Sequence, residues 1–161
     1  MRWLYVAALF AFVLDQASKY IVVFGMKLNR VLVIDVFPPL LNFRYGENRG
    51  INFGLFDGDS TLARWALIGL AVAICIAVFI WARRSALGFM AQVAAGLMIG
   101  GALANVLDRV IFGFVLDFLN MSCCGINNPF VFNLADVFIF LGALGLVFLA
   151  PDGKTPPEKG Q

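Results

Sequence analysis

The chain has 161 residues, 61% of them hydrophobic and 14% charged, with a mean hydropathy of +0.89 and a net charge of +2. Soluble domains are nearer 45–50% apolar, so this is an integral membrane protein of one domain. The small charge, with no Lys/Arg cluster beyond Arg83-Arg84, argues against a nucleic-acid partner, and the lack of histidine excludes Ser-His-Asp, Cys-His and HExxH zinc chemistry.

Four apolar stretches predict four spanning helices, at Trp3 to about Gly25, Leu62 to Trp81, Gly88 to about Phe112, and Phe132 to Leu149. Each is near the roughly 20 residues a span needs. The expected fold is an all-α membrane protein of four transmembrane helices with a small β-element outside the cytoplasm. Arg83-Arg84, in the hinge between spans two and three, marks that loop as cytoplasmic. Both termini then lie on the cytoplasmic side, and the segments Met26–Thr61 and Gly113–Val131 on the outer side. The first stretch also fits a signal peptide, but Asp15-Gln-Ala-Ser-Lys19 offers no small-x-small cleavage site and the apolar pattern resumes at Tyr20.

Between spans one and two, Arg30–Val36 and Leu40–Tyr45 are rich in β-branched and aromatic residues and are separated by Phe37-Pro-Pro. They predict a small sheet at the membrane surface. Gly46, Gly50, Gly54 and Gly58 punctuate the remainder of this outer segment as turns. The domain is expected to occupy residues 1–150, and the polar, Pro/Gly-rich stretch 151–161 to be a disordered tail.

The spans carry charge where it is costly. Asp15 and Lys19 in span one are spaced to pair across one helical turn, either as a self-neutralised structural pair or as groups that orient a site. Asn105, Asp108 and Arg109 share one face of span three near its outer end and predict an inward polar network. Asp117 follows Gly113, where the helix can end, and its apolar neighbours predict a segment that packs down. Asn133 fits an N-cap of span four with Asp136 at the third helical position. Asp117 and Asp136 are thus acids in apolar sequence, where a functional reason is the default.

The chemistry that survives is a pair of carboxylates. Two aspartates a few ångströms apart share a proton: one takes a proton from water, the other hydrogen-bonds the scissile carbonyl and later protonates the leaving nitrogen. Such a pair needs no cofactor and no metal. No Ser-Lys dyad is convincing, since Ser18 and Lys19 are consecutive on a helix and Ser85 is cytoplasmic. Cys75 reads as core filler, and the adjacent Cys123 and Cys124 lack the histidine a cysteine nucleophile normally uses.

The same residues form a recognisable set. Asp15-Gln-Ala-Ser-Lys19, Asn48-Arg-Gly50-Ile-Asn-Phe53-Gly54, Gly100-Gly-Ala-Leu-Ala-Asn105-Val-Leu-Asp108-Arg109, Gly113-Phe-Val-Leu-Asp117-Phe118 and Phe132-Asn133-Leu-Ala135-Asp136 stand in this order. In these five motifs the chain resembles the lipoprotein signal peptidases (signal peptidase II) of bacterial inner membranes, up to about Ala150. The resemblance implies that Asp117 and Asp136 are catalytic. It implies that Asp15, Lys19, Asn48, Gly50, Asn105, Asp108, Arg109, Asn133 and Ala135 bind substrate or support the pair. It further implies a diacylglyceryl-modified prolipoprotein as substrate, cut just before the lipidated cysteine, membrane lipid as the surroundings, a monomer as the working unit, and inhibition by the cyclic peptide globomycin. The Cys-Cys pair in the linker before Phe132, the missing Trp there, and the bulky Val-Phe-Ile-Phe after Asp136 depart from the family pattern. A proton-coupled transporter and a structural adaptor are the competing readings. The first is disfavoured by the lack of inverted repeats and by acids gathered towards one face.

Overall fold

The computed structural model describes residues 1–50, 61–123 and 128–149. The expected turns at Gly54 and Gly58, the motif residues Phe53 and Gly54, Cys124 and the tail 151–161 lie outside the described residues. Helix α1 (Arg2–Lys19) runs on as a π-helical turn over Tyr20–Gly25. The short helix α2 (Leu28–Val31) leads into strands β1 (Val33–Phe37) and β2 (Leu41–Asn48). Helices α3 (Thr61–Arg84) and α4 (Phe89–Ile111) come next, then strand β3 (Val115–Asn120) and helix α5 (Leu134–Leu149).

Among the described residues, three helices are long and apolar enough to cross a membrane: Arg2–Gly25, Thr61–Arg84 and Phe89–Ile111. The stretch expected to supply a fourth, Phe132–Leu149, is helical only over Leu134–Leu149, a shorter apolar helix. Its described 16 residues rise about 24 Å, short of the roughly 30 Å hydrocarbon core. The difference has a local cause. Phe132 pairs with Leu119 as an isolated bridge, and Asn133 is committed to capping.

Helix α4 is central and packs against α1, α3 and α5. The approach is close because its interfaces are glycine. A Cβ on Gly96 or Gly100 would strike the α1 backbone at Leu4 or Ala8, and one on Gly142 of α5 would lie 2.6 Å from Ala94 O and Met98 N of α4. Small residues let apolar helices pack by shape where no hydrophobic gain separates protein from lipid. Much of the apolar surface of α1 and α3 remains exposed, as it must in a bilayer.

The sheet is antiparallel, in the order β1-β2-β3. The two expected strands are present, joined by a turn at Pro38-Pro39. The third strand is an addition to the expected sheet. The segment carrying Asp117 pairs with β2, placing Asp117 opposite Gly46 and Val115 opposite Asn48. Gly113, with φ of +88°, ends α4 and turns the chain into it. Leu116 and Phe118 are buried against Val22, Val23 and Leu28, which seats the sheet on the π-helical turn and α2 that follow α1.

Candidate active site

Four elements bring the polar residues together at one end of the helices. Asp15 and Lys19 of α1 form the predicted i,i+4 pair at 2.7 Å, and Lys19 Nζ lies at the same 2.7 Å from Asp108 on α4. All three side chains are at most 2% exposed. Every remaining lone pair of importance is also met. Asp15 Oδ1 accepts the backbone N–H of Ala135 at 2.8 Å, and Asp108 Oδ2 that of Leu116 at 3.1 Å. Lys19 also donates to Asn105 Oδ1 at 3.2 Å. One ammonium therefore ties α1 to α4, while its two carboxylates hold the first turn of α5 and the start of β3. Buried charge persists only with such pairing. The geometry fits both readings of Asp15 and Lys19, since the pair pins α1 to α4 and its carboxylates also hold the segments that carry Asp117 and Asp136.

Asn105 carries the network outwards. Its Nδ2 donates to Asp136 Oδ1 at 2.9 Å, and its Oδ1 accepts from Asn133 Nδ2 at 3.3 Å as well as from Lys19. Asn133 and Asp136 cap α5 reciprocally. Asp136 N–H donates to Asn133 Oδ1 at 2.9 Å, and Asn133 N–H to Asp136 Oδ2 at 3.3 Å. This is the predicted N-cap, strengthened into a capping box. The Asn133 side chain also donates to Asp117 Oδ1. A single residue thus contacts both carboxylates, through its amide side chain on one side and its backbone N–H on the other.

Asp117 is 3% exposed. Burial first, and the charge of Asp136 second, push its carboxyl up to about 7, against opposing hydrogen bonds from Asn133 and Asn48. Asn48 reaches it from the end of β2. Gly50, with φ of +98°, turns its N–H back onto Asn48 Oδ1 at 3.1 Å, which leaves the Asn48 amide nitrogen to face Asp117. Gly50 therefore positions Asn48. Arg109 is half-buried, donates to its own helix at Asn105 O at 3.3 Å, and lies in the field of Asp136, Asp117 and Asp108. It faces the acids as expected of the inward network and does not form a direct ion pair with either Asp117 or Asp136.

Gln16 stands inside the Asp15–Lys19 motif but is a member of the network that is not among the expected site residues. It donates to Asp108 Oδ1 at 2.8 Å and to Ala104 O at 3.3 Å, extending the α1–α4 tie. The available signal is an amide next to Asp15 inside an apolar helix. Ser18, by contrast, spends its hydroxyl on Asp15 O at 2.7 Å. Asp117 opens onto a cleft of about 400 Å³ between the β2 end, Gly46–Gly50, and the segment Pro129–Val131. The missing side chain of Gly46 keeps that cleft open beside the carboxylate, since a Cβ there would lie 3.6 Å from Asp117 Cβ and 3.4 Å from Val131 Cβ.

The family model for signal peptidase (SPase) II matches residues 7–150. The chain is 37% identical over 153 residues to a lipoprotein signal peptidase of Methylorubrum extorquens (strain PA1), covering 94% of this chain and 88% of that one. It is 40% identical over 152 residues to the lipoprotein signal peptidase of Aeromonas hydrophila subsp. hydrophila, covering 91% and 86%. A bacterial membrane enzyme solved by the in meso method at 1.9 Å superposes with a TM-score of 0.76 at 29% identity, covering 92% of each chain. A second, solved at 2.3 Å, gives 0.73 at 30%, covering 89% and 84%. With a family match over most of its length and relatives this similar, the chain belongs to the signal peptidase II family and is a membrane peptidase.

Proposed function

We propose that the enzyme cleaves diacylglyceryl-modified prolipoproteins just before the lipidated cysteine, with Asp117 and Asp136 as its catalytic pair. The observation that carries this reading is the Asn133 bridge, which touches both carboxylates, with Asp117 opening onto the cleft. Asp117, the more buried acid, keeps the shared proton. Asp136, whose oxygens receive Asn105 Nδ2 and Asn133 N–H, takes the proton from water. The water oxygen bonds to the scissile carbonyl carbon while Asp117 gives its proton to the carbonyl oxygen. The tetrahedral species collapses as the C–N bond breaks and Asp136, not the carbonyl-bonding acid expected from the sequence, returns the water proton to the leaving nitrogen. Asp117 recovers a proton from the departing carboxylic acid. No covalent intermediate forms.

In this reading Asp15, Lys19, Asn105, Asp108 and Asn133 support the pair, with Ala135 supplying a backbone N–H to Asp15. Asn48 faces substrate and Asp117 from the cleft, and Arg109 lies on α4 in the field of the acids. Four spans, with α5 the fourth, a peptidase domain over residues 1–150 and a separate tail complete the architecture. The protein works as a monomer in the bacterial inner membrane, both termini cytoplasmic and the site towards the outer face. The basic pair Arg83-Arg84 at the opposite end of α3 from the sheet supports that orientation. The test is incubation of the purified protein with a lipidated prolipoprotein and with its unlipidated form. Mass spectrometry should find a new N-terminus at the lipidated cysteine only in the former. Cleavage elsewhere, or equal cleavage of both, contradicts the assignment.

A further inference from the structure

One buried side chain anchors the wall of the cleft opposite β2. Asn120, at the end of β3, is 3% exposed and spends both amide hydrogens on carbonyls of that wall, Asn128 O and Phe130 O, each at 2.8 Å. Its Oδ1 accepts from Ser122 Oγ at 3.4 Å, and that hydroxyl accepts the Asn128 N–H at 3.1 Å. The Asn128 side chain accepts the N–H of Phe130 at 3.0 Å. Phe132 then pairs with Leu119 in both directions, at 2.8 and 2.9 Å. The chain from Asn128 to Phe132 is thereby held beside β3 as an extended strip. Its outer residue Phe130 is 76% exposed yet lines the cleft that Asp117 opens onto.

We infer that Asn120 is a positioning residue for this strip, and that Phe130 determines specificity by contacting an apolar side chain of the substrate peptide next to the scissile bond. This rests on Asp117 being catalytic. The peptide is the occupant because the strip and Asp117 border one cleft of about 400 Å³, a size that takes a short peptide segment rather than a pair of long acyl chains. A group touching Phe130 there is attached close to the carbonyl under attack. Asn120 makes no contact with that group and acts only by fixing where Phe130 stands. Its two donors have no substitute in Asp or Ala, since neither carries the amide hydrogens.

The test measures kcat and KM on lipidated prolipoproteins that differ only in the residue before the cleavage site, small against large apolar. Phe130→Ala should raise KM about tenfold for the substrates the native enzyme prefers, leave kcat nearly unchanged, and shift the small-to-large preference. Asn120→Ala and Asn120→Asp should reproduce that shift with native secondary structure, and Asn120→Asp should melt lower because its carboxyl faces two carbonyl oxygens. An unchanged preference in Phe130→Ala overturns the inference. So does a preference that tracks acyl-chain length instead of the side chain. If Asn120→Ala fails to fold, Phe130→Ala, an exposed position, still decides the matter. Failure of the catalytic reading would appear separately, as cleavage by Asp117→Asn.

Discussion

Replacing Lys19 by Met removes the ammonium that lies 2.7 Å from both Asp15 and Asp108 and leaves two carboxylates, 0% and 1% exposed, facing the vacated space. Breaking a buried ion pair by removing one partner typically costs about 3–5 kcal/mol, because the remaining charge is uncompensated. Here the cost lies at the upper end, since two acids lose the same partner and Asn105 Oδ1 loses a donor. At roughly 2–4 °C per kcal/mol for a chain of this size, a cost near 5 kcal/mol should lower the melting temperature in detergent by about 10–20 °C. The triple variant Asp15→Asn, Lys19→Met, Asp108→Asn keeps acceptors for the N–H groups of Ala135 and Leu116 but buries no charge. It should recover at least half of the loss, since neutral replacements of a buried ion cluster are often tolerated. A melting temperature for Lys19→Met within about 2 °C of the native protein would refute the reasoning. So would a triple variant less stable than the single one.

Four further outcomes rest on the structure. Cleavage should decline as pH rises through about 7, because Asp117 must hold a proton and its carboxyl is pushed up to that value by burial and by Asp136. A rate rising through that range would place the proton elsewhere. The same shift works against folding: a group whose folded value is raised from 3.8 binds its proton more tightly in the native state, so stability is greatest at low pH, is lost between about 4 and 7, and is flat above. Chemical denaturation at several pH values measures this, and stability that grew over that window would contradict it. Gly46→Val should fold normally yet cut activity at least tenfold by filling the space between Asp117 and Val131. Undiminished turnover would mean that substrate does not pass beside Gly46. Gly142→Val should prevent native α4–α5 packing, since even a Cβ lies 2.6 Å from the α4 backbone. A normally melting variant would show the helices free to separate.

The parts of the site that are legible in sequence are those with local signals. The Asp15–Lys19 pair, the Asn133 cap with Asp136, and the shared face of Asn105 and Asp108 all arise from helical spacing, and all recur in the structure. The illegible parts are non-local. Nothing in Val115–Asn120 announces that it pairs with β2, because the pairing joins segments some seventy residues apart in the chain and its residues are buried on both faces rather than alternating. The backbone donors from Ala135 and Leu116 to Asp15 and Asp108 have no side-chain signature at all. The apolar pattern starts α5 two residues early because apolar content continues through Phe132, while the capping geometry begins only at Asn133.

The central claim is that Asp117 and Asp136 together perform the hydrolysis. Single-turnover cleavage of a lipidated prolipoprotein by Asp117→Asn and by Asp136→Asn measures it most directly, with insertion and melting checked for each. The account predicts a loss of at least a thousandfold in either variant, about equal to that of the double variant, because one carboxylate without its partner completes neither proton transfer. Native-like cleavage in either single variant, or losses that multiply in the double, would contradict it.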